Sequence, residues 1–512
     1  MGRYRNPILP GCHPDPSICR LGDRYLLVTS TFEYLPGLPV HASTNLVDWE
    51  LVGHAIHREE QLDLRGLDGS SGLYAPTIRV VGGRLVVVCT VVGSEEGPWS
   101  GRTGHFLVTA EDPAGPWSDP VWIDGVGGFD PSITVDGDRV WLCGTRLAAA
   151  AEWPGRTEVW IAELDLESGA LRGEPVPIWT GAAARAVWAE GPHVLPRPGG
   201  GWMLLAAEGG TDLDHAVVTA YAEEITGPYT GDTGNPRLTH RDLGSGAEIV
   251  AVGHADLVDT PAGETWAVAL GSHPVAGRRG LLGRRTSLVP VGWEGARPLF
   301  APGTARVAPV VEAPGVPDAA PWPSLVVDDF DGVTLDPAWN GVGRMPQLFA
   351  DPVARPGHVR LRAGDDPGTV GLPAFLGRRL PSERTRVEAT VATVPGEGTL
   401  RAGLLLRVGE RQLLELAVDR GGEVVLARVQ GGLRAELARG RVAASGPVLL
   451  GLEIVDLVAA ASVDGVPLAS VDVAGLAPLP PRGFVGAWVG PFAAGDGFVD
   501  VDRVVLETLP GV

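Results

Sequence analysis

Lysine is absent from this chain: all 41 basic residues other than histidine are arginine. No lysine Schiff base and no phosphate-binding loop lysine can therefore operate here. Cysteine is scarce, with four residues at 12, 19, 89 and 143. None forms a C-x-x-C pair, and no histidine cluster sits at zinc-ligand spacing, so they read as reduced structural thiols of a cytoplasmic protein. Long apolar stretches are also lacking. No run approaches 18 residues, and the first residues, Met-Gly-Arg-Tyr-Arg-Asn-Pro, hold no apolar core. Neither a membrane span nor a secretory signal is expected. Positive charge is short by 21. Phosphate recognition needs a basic footprint, so nucleic acid and anionic membrane are poor partners and a small neutral substrate is favoured. Finally, no segment keeps a 3.6-residue apolar period over 12 positions, so helices are minor.

What is abundant is Gly, 72 residues, and Pro, 45 residues, spread between short apolar runs. That is the composition of many strands joined by turns. Arg84–Thr90, Gly201–Ala207 and Glu264–Leu270 are such runs, each following a Gly- or Pro-rich turn. Each comes about ten residues after one of five related motifs. Three motifs are acidic: His-Pro-Asp15-Pro-Ser-Ile, Phe-Asp130-Pro-Ser-Ile and Ala-Glu190-Gly-Pro-His-Val. Two lack the carboxylate: Tyr-Ala-Pro76-Thr-Ile and Gly-His254-Ala-Asp-Leu. Positions 16, 76, 131, 192 and 255 are separated by 60, 55, 61 and 63 residues. A repeat of that length predicts a radial β architecture, and in a propeller its units would open at a common axis. Carboxylates far apart in sequence would then share one pocket.

The repeats occupy residues 1–300. Between Pro302 and Pro323 six prolines fall in 22 residues, which predicts an extended connector over 301–324. From 325 to 512 the pattern is again β but without the 60-residue period. Val387-Glu-Ala-Thr-Val391 alternates with period two, and further strands are expected at Leu404–Val408, Gln412–Leu416, Glu423–Leu426 and Val448–Ile454. Many short strands with Gly turns predict a β-sandwich. The fold class is thus all-β, a propeller followed by a sandwich.

Paired carboxylates suit cleavage of a glycosidic bond. One acid protonates the leaving oxygen, and one carboxylate activates water or attacks directly. Crowding three carboxylates raises at least one pKa, as a general acid near neutral pH requires. Glu190, the longer and odd member, takes the acid role, Asp15 the base, and Asp130 orients Glu190 and tunes it. A single Asp-Pro-Ser is an ordinary turn signal. Two Asp-Pro-Ser-Ile copies in register with the repeat point to a site.

At these residues the chain resembles glycoside hydrolase family 43, in its two-domain β-xylosidase and α-L-arabinofuranosidase branch. The resemblance is carried by residues 6–18, Thr31–Pro39, Leu46–His54, Glu190-Gly-Pro-His, Ala207–Thr211 and Gly253–Val258. In the second domain it is carried by Asp328–Asp331, Trp339-Asn340 and Phe375–Arg379. It implies a five-bladed propeller, hydrolysis with inversion, and acid and base carboxyls ~6.5–9.5 Å apart to admit a water. It matches Asp15, Asp130 and Glu190 to general base, pKa modulator and general acid. It places Phe32, Tyr74, Arg284, His254 and Phe484 around the substrate, Phe484 being inserted by the second domain. No cofactor is required for the chemistry, although the resemblance allows a divalent ion, Ca²⁺, near the axis at His254. The chain departs from the family pattern at Tyr74, Arg285, Cys12-His13 and His273, which bears on leaving-group choice and on xylose against arabinose.

The expected activity is release of xylose from the non-reducing end of β-1,4-xylo-oligosaccharides. The alternatives are an α-L-arabinofuranosidase or an enzyme with both activities, and a non-catalytic carbohydrate-binding propeller. A retaining fructosidase-type propeller is disfavoured, because its nucleophile sits in Asn-Asp-Pro-Asn-Gly and Asp15 does not. A homo-oligomer is compatible with the sequence, which does not decide the matter.

Overall fold

The computed structural model describes residues 1–93, 103–393, 398–444, 446–480 and 483–510. Five antiparallel sheets built from consecutive strands make up residues 17–300. Their inner strands are Ser17–Leu21, Thr77–Val81, Phe129–Asp136, Glu190–Pro196 and Val250–Asp259. Each touches the next and the last touches the first, so the sheets close as five blades around one axis. Apolar residues of neighbouring blades interlock between the sheets: Val86 and Val88 of the second pack with Ile133 and Leu142 of the third. The segment before the first blade runs along the fifth. Asn6 accepts the Leu288 N–H at 2.8 Å and donates to the Leu288 carbonyl at 3.0 Å. One polar side chain thus helps tie the start of the chain to the fifth blade.

The proline-rich stretch packs along the propeller. Val310–Ala313 pairs with Gly2–Arg5, which fastens it to the propeller. Beyond it lie two large antiparallel sheets. One contains Arg384–Thr393, Gly446–Val455 and Phe498–Thr508, the other Arg401–Gly409, Gln412–Asp419 and Trp488–Ala494. Their inner faces share one core, including Val387, Leu404, Leu450, Val489 and Val504. Val387, Ala389 and Val391 are buried while Glu388 and Thr390 are only partly so, the alternation read from the sequence. The chain is therefore all-β, a five-bladed propeller with a sandwich. Among the described residues the only helices are three single 3₁₀ turns, and no helix is long and apolar enough to cross a membrane.

The two parts meet through backbone. Gly341–Val342 of the C-terminal part pairs with Tyr34–Leu35 of the first blade, and Asn340 donates to the Pro36 carbonyl at 3.0 Å. Tyr34 stacks on Trp488 with ring centroids 4.0 Å apart. The top of the propeller is covered on that side.

Candidate active site

Three of the blades open with broken ladders. Asp130 lies where the pairing register shifts between Phe129 and Ser132, and Glu190 where it shifts between Glu190 and His193. The fifth blade shifts twice around His254. A bulge takes one side chain out of the alternation and re-aims it. The prolines that follow the carboxylates, at 16, 131 and 192, lack an N–H that a regular ladder would need. Asp15 and Asp130 both adopt φ of +53°, and His254 φ of +42°. Such conformations cost on the order of 1 kcal/mol and persist where the surroundings impose them.

Asp15, Asp130 and Glu190 are each 5–8% exposed. Arg284, at the start of the fifth blade's third strand, donates to Asp15 Oδ1 at 2.6 Å and to Oδ2 at 3.3 Å. Ser30 donates to Asp15 Oδ2 at 2.7 Å, and His254 Nδ1 stands 3.9 Å from Oδ1. Burial pushes the Asp15 carboxyl up. The charges of Arg284 and His254 and the Ser30 hydrogen bond outweigh it and hold Asp15 below the ordinary carboxylate range. Asp130 is lifted to about 6 by burial and by the Asp15 charge, against the pull of His254 and of the Gly191 N–H. That N–H reaches Asp130 Oδ2 at 3.0 Å, which ties Asp130 to the backbone next to Glu190. Glu190 rises well above its ordinary value, first by burial and then by the Asp130 charge. Asp15 is thus held ionised, Asp130 titrates at about 6, and Glu190 is driven toward its protonated form.

The wall is aromatic. Phe32 and Phe484 lie near parallel with centroids 6.3 Å apart, and Tyr74 meets both edge-on at 5.3 and 6.0 Å. The Arg284 guanidinium sits 5.9 Å from the Phe32 ring and 5.3 Å from the Phe484 ring. The Tyr74 hydroxyl donates to the Ser70 carbonyl at 2.9 Å. Further along the axis Asp256 accepts from Ser17, from the Ile18 N–H and twice from Arg79, all within 3.0 Å. This buried pair plugs the axis and gives the pocket a floor. Beside Arg284 and Phe484 a cavity of about 190 Å³ extends past Asp212, His273 and Arg279. A larger one, about 610 Å³, lies on the sandwich around Arg401 and Glu415; neither cavity is lined by the three carboxylates, and only the smaller one reaches Arg284 and Phe484.

All eight residues singled out in the sequence take part in this arrangement or border it. His254 borders Asp15, but among the described residues no group of three or more His, Cys, Asp and Glu is close enough to hold a metal. Ca²⁺ takes six to eight oxygen ligands, and an imidazole beside one arginine-bound carboxylate does not supply them.

With the geometry in view, the similarities are informative. The model for "Glycosyl hydrolases family 43" matches residues 4–296. The chain belongs to glycosyl hydrolase family 43. A second model, for the "Beta xylosidase C-terminal Concanavalin A-like domain", matches residues 327–504. A xylosidase/arabinosidase of Butyrivibrio fibrisolvens is 38% identical over 81% of this chain and 79% of that protein. A non-reducing-end α-L-arabinofuranosidase of Bacteroides ovatus is 34% identical over 96% of this chain and 92% of that protein. Among solved family 43 structures, the Bacteroides ovatus xyloglucan PUL GH43B superposes with a TM-score of 0.90 at 31% identity, covering 99% of this chain and 100% of that one. The xylan β-1,4-xylosidase of Bacillus halodurans C-125 superposes with 0.89 at 29% identity, covering 98% and 100%.

Several contacts of this family 43 site were not read from the sequence. Ser30, Ser70, Glu33 and Arg407 lie within or behind the pocket. Two carried a signal: Glu33 is a lone acid between two aromatics, and Arg407 a lone charge in an apolar strand. Buried charges that break an apolar pattern are paired or functional.

Proposed function

We propose that this family 43 hydrolase is an inverting exo-glycosidase that removes single pentose units from non-reducing ends, acting on both α-L-arabinofuranosides and β-D-xylosides. Asp15 is the general base, Glu190 the general acid and Asp130 the modulator. The observation that carries the reading is the division of protonation states: Asp15 held ionised by Arg284, Glu190 held protonated by burial and Asp130. Asp15 takes a proton from water as the water oxygen bonds to the anomeric carbon. Glu190 gives its proton to the leaving oxygen as the old bond breaks. Attack from the face opposite the leaving group inverts the anomer. Phe32, Tyr74 and Phe484 offer apolar faces to one ring, and Arg284 offers donors to its hydroxyls. The leaving group extends into the cavity along Asp212 and His273.

The dual specificity replaces the xylosidase-only expectation. The similar proteins named above include an arabinofuranosidase, a xylosidase/arabinosidase and a xylosidase. Nothing in the wall described here separates a furanose from a pyranose of the same carbon number.

The test is paired kinetics on nitrophenyl α-L-arabinofuranoside and nitrophenyl β-D-xyloside, with NMR of the first-formed anomer. Turnover of both with inversion is expected, and Asp15→Ala should remove it. Retention of configuration, or near-normal turnover in Asp15→Ala, sinks the mechanism. Turnover of the xyloside alone restores the narrower specificity.

A further inference from the structure

Behind the aromatic wall runs a buried polar chain that begins in the sandwich. Arg407 interrupts the apolar strand Arg401–Gly409, with a side chain only 3% exposed. Its Nη1 donates to Glu33 Oε1 at 3.0 Å and to the Tyr34 hydroxyl at 2.8 Å. Glu33 Oε2 accepts the Ser70 N–H at 3.1 Å. The Ser70 hydroxyl oxygen accepts the N–H groups of Phe484 at 3.0 Å and Val485 at 3.4 Å. Phe32, covalently next to Glu33, is held at φ of +53°. A contact that starts in a sandwich strand therefore ends at both rings that flank Arg284.

We propose that Arg407, through Glu33 and Ser70, is a positioning residue for the sugar-binding wall, so that monosaccharide affinity depends on this buried cross-domain ion pair. The proposal rests on reading the Phe32–Phe484 wall as the pentose subsite. An apolar side chain at 407 could fill the same volume and often leaves stability unharmed or improved. It could not fix direction. Both hydrogen bonds leave one nitrogen, Nη1, of a rigid planar guanidinium, which fixes where Glu33 and Tyr34 can sit, and Glu33 passes that geometry to the Phe32 backbone on one side and to Ser70 on the other. Without Arg407 the buried Glu33 carboxylate would take up a proton, and its hold on the Ser70 N–H would weaken.

The test uses the full chain with Arg407→Met, Arg407→Lys and Phe484→Ala, singly and with each 407 variant combined with Phe484→Ala. KM and kcat are measured on both nitrophenyl glycosides. Cys12 supplies a readout independent of activity, because its buried sulfur accepts the Gly486 N–H at 3.1 Å. Release of the 483–486 segment exposes that thiol to labelling, followed by peptide mapping. Arg407→Met should raise KM about tenfold with kcat changed less than about threefold, and speed Cys12 labelling about tenfold. In the Phe484→Ala background it should add only about threefold to KM, the share that passes through Phe32, because contacts that act through one another are not additive. Arg407→Lys, whose ammonium sits on a shorter stem than Nη1 and is not held by a planar group, should show the same coupling with about a threefold KM effect, and it carries the test if Arg407→Met does not melt cooperatively. An equal KM increase with and without Phe484, or wild-type KM and labelling in both 407 variants, overturns the proposal. If the wild type hydrolyses neither glycoside, the functional reading fails, and Cys12 labelling still decides whether Arg407 holds the wall.

Discussion

Replacing Arg284 with Met should slide the whole pH profile of kcat/KM to the alkaline side. Arg284 lies against Asp15 with N–O contacts of 2.6 and 3.3 Å, and its charge also lowers the pKa of Asp130 and of Glu190. The acid limb reports Asp15, which must be ionised to accept a proton. The alkaline limb reports Glu190, which must be protonated to donate one. Removing the cation leaves burial as the main influence on Asp15, so Asp15 protonates at higher pH. Glu190, relieved of the same cation, holds its proton to higher pH as well. Two unit charges ~4 Å apart at an effective dielectric of ~20 interact by ~4 kcal/mol. At about 1.4 kcal/mol per pH unit this caps the acid-limb movement near three units, and at least about one unit is expected after relaxation. Lost substrate contacts will lower kcat/KM at every pH without moving the limbs. Arg284→Lys separates the two effects: it keeps the charge, so the limbs should stay near wild type while kcat/KM falls. The assay is kcat/KM from pH 3 to 9 on the better nitrophenyl glycoside. An acid limb within about 0.3 unit of wild type in Arg284→Met, or a bell that narrows instead of sliding, would show that Arg284 does not set the Asp15 charge.

Glu190→Ala should lower kcat/KM about 10²–10⁴-fold on substrates with a sugar leaving group, and far less on a dinitrophenyl glycoside, whose leaving oxygen needs little protonation; equal losses on both would remove Glu190 from the acid role. Glu383, tucked beneath the Leu281–Leu282 backbone, is raised to about 7 by burial. Its folded pKa exceeds its unfolded one, so its contribution is intact below pH 4.5 and lost as pH rises through about 7. Glu383→Gln should therefore stabilise the protein at pH 8 by about 2 kcal/mol, discounted because the group is only partly enclosed, and by nearly nothing at pH 4; denaturant melts at the two pH values check this. Chelator should leave kcat and KM unchanged, because the donors around His254 do not form an oxygen cage; a loss restored by added Ca²⁺ would reverse that reading.

The parts of the site legible in the sequence are those that repeat. Asp15, Asp130 and Glu190 stand out because each opens a blade and a proline follows each within two residues. The blades themselves follow from the 55–63-residue spacing. Arg284 and Phe484 were visible only through family resemblance, since each is one residue in an ordinary strand or loop. The relay behind the wall was not legible. Arg407 and Glu33 are 374 positions apart, and their burial exists only once the two domains are in contact. The connector's pairing partner was not legible for a related reason. Proline content signals extension but not a partner, and Val310–Ala313 finds one at the chain start.

The propeller alone would leave its carboxylates in an open bowl, so a closed sugar site depends on how near the sandwich can come. Two glycines set that distance. A Cβ on Gly486 would lie 2.3 Å from the Leu282 carbonyl oxygen and 2.8 Å from Cys12 Cβ. Gly283, at φ of +62°, faces the same backbone, 3.3 Å from the Gly486 Cα if it carried a Cβ. Neither neighbour of Gly486 is the tip of a flexible side chain, so the clash cannot be relieved cheaply. Gly486→Ala must push the segment bearing Phe484 away from the strand that bears Arg284, while leaving the inner strands of the carboxylates untouched. Binding should suffer more than chemistry. KM is expected to rise about tenfold or more, with a smaller change in kcat and unmoved pH limbs. If kcat fell while KM held, the sandwich would be acting on the carboxylates themselves and not only on the wall.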